Sequence, residues 1–103
     1  MRSNKDPQFK NLTQAIALLT SELEIYNFLR DVFSITELKE ANTRFEIAKL
    51  LWLGGMSYLE IAEKLGTSTT TVTRVADWLF NKDYQGFQNV LSKLYPKSPA
   101  SPH

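Results

Sequence analysis

Cysteine is absent from the 103 residues, and the single histidine is the last of them. No disulfide framework or thiolate metal site can be built, and the composition suits a reducing compartment. A lone terminal histidine leaves no imidazole-based triad and no paired metal ligands, and four scattered glycines write no phosphate-binding loop. Glu37, Glu40, Glu46, Glu60 and Glu63 read as helix starts and solvated faces rather than acid-base pairs. No enzyme, cofactor or metal is implied. The opening MRSNKDPQF carries no signal-like apolar run, and nothing approaches the length of a membrane span, so no membrane partner is expected and a cytoplasmic location is. A surplus of one charge is missing too. Twelve Lys and Arg against eleven Asp and Glu give +1, so any positive surface must be built locally, from Lys39, Arg44, Lys49, Lys64 and Arg74. Strand-like alternation persists nowhere, which leaves an all-α chain of five or six helices.

What is present centres on Ser57 to Phe80, SYLEIAEKLGTSTTTVTRVADWLF, which reads as a helix-turn-helix over about residues 57–80. Ser57-x-x-Glu60 is a capping box that opens the first helix, and Ile61, Ala62 and Leu65 form its inward stripe. Gly66 ends that helix with the left-handed backbone a tight turn needs. Ser68 is the natural N-cap of the second, and Val72, Val75 and Leu79 turn its buried side toward the first. Thr67 departs from the apolar residue more usual in that turn. A plain helical hairpin inside a bundle is the competing reading. Against it stands the outward face of the second helix, where Thr69, Thr70 and Thr73 lie beside Arg74 although threonine is a poor helix former. Short hydroxyls at a helix N-terminus suit phosphates and base edges. The expected contact set for double-stranded DNA begins with Ser57, Tyr58 and Lys64. It continues through Thr67, Ser68, Thr69 and Thr70 to Thr73 and Arg74.

Ahead of this unit, Met1 to Lys5 reads as loose, and Asp6-Pro7 as a helix start with aspartate as N-cap. Phe9, Leu12, Ile16, Leu19, Leu23 and Tyr26 step by three and four, the spacing of a coiled-coil-like seam. Ala15, Ala17 and Leu18 put apolar surface on other faces as well, and a second copy of the chain is the readiest cover. Ser21-x-x-Glu24 opens a further helix to about Phe33, with Ile25, Phe28, Leu29 and Val32 inward. Ser34-x-x-Glu37 opens the next, whose apolar face runs Leu38, Ala41, Phe45, Ala48, Leu51, Trp52 to a stop at Gly54-Gly55. A break at Asn42-Thr43 competes there with one continuous helix, and the continuous helix is preferred. Asn81-Lys82-Asp83 reads as a loop, and Tyr84, Phe87, Val90, Leu91 and Leu94 outline a last helix over about residues 84–95 that Gly86 weakens. Together these form one domain over residues 1–95, with dimerisation helices over about 7–53. A disordered tail follows over 96–103, PKSPASPH after the tyrosine.

The run SITELKEANTRFEIAKLLWLGGMSYLEIAEKLGTSTTTVTRVADWL resembles the tryptophan repressor superfamily, and more closely its YerC/YecD branch. TRFEIAKLL, MSYLEIAEKLG and TTTVTRV are the strongest pieces, and LTQAIALLTSELEIYNFLRDVFS is similar to that branch's N-terminal helices. The resemblance covers roughly residues 10 to 80. It implies an intertwined homodimer, with two helix-turn-helix heads presented to successive major grooves about 34–36 Å apart. It also implies a ligand pocket at Ser34, Arg44, Arg74 and Trp78, the two arginines matching those that bracket the corepressor indole. Val75 and Trp78 depart from the glycine and serine of that pattern, and a large indole at 78 closes the space a ligand would need. A tryptophan-like corepressor is therefore disfavoured. The expected function is a DNA-binding transcriptional regulator acting as a homodimer, against two alternatives: a helical assembly module, or the DNA-binding arm of a transposase-like system.

Overall fold

In the computed structural model, residues 7–81 and 85–96 are described, and every regular element among them is helical. A 3-10 turn over Pro7–Phe9 leads into α1 (Lys10–Ala17), followed by α2 (Glu22–Val32), α3 (Ile35–Leu53), α4 (Tyr58–Leu65), α5 (Thr69–Asn81) and α6 (Gly86–Leu94). The chain divides after Glu40 into two units, each with its own character.

In the first unit the helix starts follow hydroxyl chemistry. The Ser21 hydroxyl accepts the Glu24 amide at 3.1 Å, but the return arm differs from the expected box. Glu24 Oε1 takes the Thr20 amide at 2.9 Å and the Thr20 hydroxyl at 3.2 Å, because Thr20 stands one residue further out and offers two donors. Those Thr20 bonds, the amide before the hydroxyl, hold the Glu24 carboxyl below the usual glutamate range. What they contribute is present above the ordinary glutamate pKa and fades as the pH falls through the lowered one. At Ser34 the box closes as expected, Glu37 donating its amide to the Ser34 hydroxyl at 3.1 Å and accepting the Ser34 amide at 2.8 Å. The start of the chain differs: Asp6 lies outside the described residues, and α1 begins only at Lys10, after Phe9, with no side-chain cap. No residue from 7 to 40 is buried. Ile16 is 44 % exposed and Leu18 80 %, and of the expected inward residues of α2 only Phe28 and Leu29 reach even half-burial.

The second unit holds a closed core. Ile47, Ala48, Leu51 and Trp52 of α3 meet Ile61 and Ala62 of α4, Val72, Val75, Ala76 and Leu79 of α5, and Leu91 of α6. α3 runs unbroken through Asn42-Thr43. Ala48, Leu51 and Trp52 are buried as expected and Phe45 packs half-buried against them, but Ala41 is exposed and Ile47, outside the expected face, is fully buried. Apolar residues surround the C-terminal half of this helix, so periodicity alone could not choose among them. Asn81 belongs to α5 rather than to a loop, and Lys82, Asp83 and Tyr84 lie outside the described residues. Gly86 is the first residue of α6, not an interior weakness, and the residue before it, Gln85, takes φ 59° with no side-chain cap. Of the expected tail, 97–103 also lie outside the described residues.

The turn between α4 and α5 depends on Gly66, at φ 67°. The Thr67 amide returns to the Ala62 carbonyl at 2.9 Å and the Gly66 amide to that of Glu63 at 3.4 Å, a Schellman closure that satisfies two of the orphan carbonyls ending α4. A Cβ on Gly66 would meet nothing within 4 Å, so the cost of substitution is conformational rather than steric. Gly66→Ala should lower stability by about 1 kcal/mol. Urea unfolding at fixed protein concentration measures it, and an unchanged midpoint would mean that the turn does not need the left-handed state.

Candidate nucleic-acid interface

The α4-turn-α5 unit is capped at both starts. Ser57 and Glu60 complete the expected box, the Ser57 hydroxyl accepting the Glu60 amide at 3.0 Å and Glu60 Oε1 accepting the Ser57 amide at 2.8 Å. Ser68 caps α5: its hydroxyl accepts the Thr71 amide at 3.1 Å and lies 3.0 Å from the Thr71 hydroxyl. Val72, Val75 and Leu79 are buried as the spacing predicts, joined by Ala76, and this fixes which side of α5 is left outward.

On that outward side Thr69, Thr70, Thr73 and Arg74 are all exposed. Thr73 neighbours both Thr69, four residues before it, and Thr70, three before it, so the three hydroxyls share the outward side of the first turns. Thr73 donates its hydroxyl hydrogen back to the Thr69 carbonyl at 2.9 Å, whereas the hydroxyls of Thr69 and Thr70 make no hydrogen bond among the described residues. Lys64 is exposed in the last turn of α4 and Thr67 half-buried in the connection. Neither Lys64 nor Arg74 forms an ion pair among the described residues, whereas Lys49 pairs with Glu46 at 3.4 Å. Tyr58 is half-buried against the core, so its ring supports the α4 start from inside.

Two hydrogen bonds from side chains to distant backbone hold the rear of this unit, and neither has a local sequence signal. The Trp52 indole donates to the Tyr95 carbonyl at 3.0 Å, and the Gln88 amide donates to the Leu79 carbonyl at 2.6 Å. The second satisfies a carbonyl near the C-terminal end of α5, so α6 braces the helix that carries the threonine face.

Of the expected ligand residues, Arg44 and Trp78 come together. The Arg44 guanidinium lies 6.0 Å from the Trp78 ring centroid, within cation-π range, and Trp78 is half-buried. An indole belonging to the chain itself therefore occupies the face of Arg44. Ser34 is the N-cap of α3 in the first unit, its hydroxyl accepting from Glu37.

The chain matches the family described as Trp repressor protein over residues 7–95. The chain belongs to that family. A Trp operon repressor homolog of Chlamydia trachomatis serovar D is 36 % identical over 84 residues, 78 % of this chain and 88 % of the relative. The homolog of serovar A matches to the same extent. A crystal structure of a TrpR like protein from Eubacterium eligens superposes with a TM-score of 0.77 at 39 % identity, covering 87 % of this chain and 91 % of that one. The TrpR-like, all-α fold is thus shared with a solved relative.

The Arg44 and Trp78 contact can be measured directly. In a double-mutant cycle of Arg44→Ala and Trp78→Leu, the packing lost with the indole cancels and the coupling should be about 0.5–1 kcal/mol. Chemical unfolding of the four proteins reads it, and a coupling near zero would leave the two side chains merely adjacent.

Proposed function

We propose that the chain is a sequence-specific DNA-binding transcriptional regulator of the Trp repressor family, working in the cytoplasm as a homodimer and needing no tryptophan corepressor. The observation that carries the DNA reading is the α4-turn-α5 unit, capped at both starts, braced behind by α6, and presenting exposed Thr69, Thr70, Thr73 and Arg74 on one side. Family membership and the names of its relatives support repression as the outcome. In this reading Thr69, Thr70 and Thr73 face base edges, Lys64 and Arg74 hold phosphates, and the Ser57, Ser68 and Thr67 region offers polar groups to the backbone. No bulk charge draws the protein to DNA, so affinity rests on these local contacts and on two heads acting together.

Homodimerisation is supported by the apolar residues of 7–40, none of which this chain buries. Isolated stripes of that size are unfavourable in water, and a second copy offers a self-complementary cover. The case against a corepressor is the Arg44 and Trp78 contact: the residue that would face a ligand indole is already engaged by one. A free tryptophan could shift the protein only through differential affinity for two states, and an Arg44 already engaged by Trp78 offers it little to bind differentially.

Fluorescence anisotropy with duplexes selected from a random library, in a salt series, tests the function. Specific binding should exceed binding to random sequence and weaken as salt rises. Thr70→Ala should change preference at one or two base positions by roughly 1–3 kcal/mol each, while Arg74→Ala should weaken all sequences evenly and flatten the salt slope. Added L-tryptophan should shift affinity by less than about tenfold. Failure to enrich any sequence would favour an assembly module, and a large tryptophan effect would remove the occlusion argument.

Sedimentation tests the assembly. Because Ile16 is 44 % exposed in the single chain, Ile16→Asp should cost an isolated chain little, but should dissociate or unfold a dimer that buries it. A folded, monomeric parent protein at micromolar concentration would overturn the homodimer.

A further inference from the structure

The hydroxyls along the start of α5 are not equivalent. Those of Ser68 and Thr71 are engaged with each other at 3.0 Å, and Thr73, although exposed, has already donated to the Thr69 carbonyl at 2.9 Å. A threonine hydroxyl has one hydrogen, so Thr73 has no donor left to offer. With its oxygen turned back onto the preceding turn, the group its tetrahedral Cβ carries outward is the methyl. No amide or guanidinium side chain stands at 69, 70 or 73. The bidentate pairings by which asparagine, glutamine or arginine read adenine and guanine are therefore closed to these three positions. What they present is single hydroxyls at Thr69 and Thr70 and an aliphatic surface at Thr73.

In the major groove the feature complementary to an aliphatic methyl is the 5-methyl group of a pyrimidine. We propose that Thr73 is a specificity-determining residue that reads this methyl, so that the protein prefers thymine over uracil, and 5-methylcytosine over cytosine, at one position in each half-site. The proposal rests on the DNA-binding reading above and names the chemical group that its recognition helix selects. It makes affinity sensitive to pyrimidine methylation without any change in base pairing.

The test uses the full chain and a duplex selected from a random library. Each thymine of the duplex is replaced in turn by uracil, and cytosine and 5-methylcytosine are then compared at the sensitive position, with anisotropy as the readout. Burying one methyl corresponds to ~0.8 kcal/mol, so the uracil substitution should weaken binding about fourfold per half-site, and 5-methylcytosine should bind more tightly than cytosine by a similar factor. Thr73→Ser keeps the hydroxyl and drops the methyl, and should erase the discrimination. Thr73→Val keeps the methyl and drops the oxygen, and should retain it. If no sequence is enriched, the DNA-binding reading itself fails. If a sequence is enriched but uracil is tolerated everywhere, or if Thr73→Ser still discriminates, methyl readout by Thr73 is overturned while the DNA-binding reading stands. Should Thr73→Ser fail to fold, a loss of discrimination in Thr73→Val would still overturn the assignment; should Thr73→Val fail, Thr73→Ser decides alone.

Discussion

The left-handed backbone at Gly66 is the constraint on which the candidate interface depends. At φ 67° the chain reverses tightly enough for the Thr67 amide to return to Ala62, and α4 ends with its last carbonyls partly satisfied. Ser68 then falls two residues after the glycine, in place to cap α5 through the Thr71 amide. Once that start is set, helical periodicity sends Val72, Val75 and Leu79 into the core beside Ile61 and Ala62, and leaves Thr69, Thr70, Thr73 and Arg74 outside. A shift of the turn by one residue would rotate α5 by about 100° and bury a different set. The outward chemistry is therefore a consequence of backbone geometry one turn earlier.

The two units meet their needs differently. Residues 41–96 bury eleven hydrophobic side chains and leave no buried polar side-chain atom without a partner among the described residues. Residues 7–40 have side-chain caps at the starts of α2 and α3, none at α1, and no buried residue at all. Local hydrogen bonds suffice to start and stop those helices, but helical stability in proteins comes mainly from packing an amphipathic face. Residues 7–40 lack such packing within the single chain, whereas α4 and α5 enclose a core with α3 and α6.

Arg44 and Trp78 bring a cation and an aromatic ring together from two helices. Guanidinium over an aromatic face is attractive and keeps part of its charge in water. The contact joins α3 to α5 within the second unit. Family membership conveys the fold and the general role, while the behaviour of a site rests on its own side chains.

The sequence by itself determined the helical class, the starts at Ser21, Ser34, Ser57 and Ser68, the stop at Gly66 and the inward stripe of α5. All of these are set by bonds or spacings within about one or two helical turns, so neighbouring residue types suffice to read them. Only the packing of elements put Ile47 rather than Ala41 at the core. It also brought Trp52 to Tyr95, Gln88 to Leu79 and Arg44 to Trp78. Each of these contacts joins different elements, whereas the Glu24 to Thr20 and Thr73 to Thr69 bonds are one-turn contacts whose donor or rotamer the residue types leave open. A residue's type says which bonds it can make, but only the packing of elements says which partner arrives.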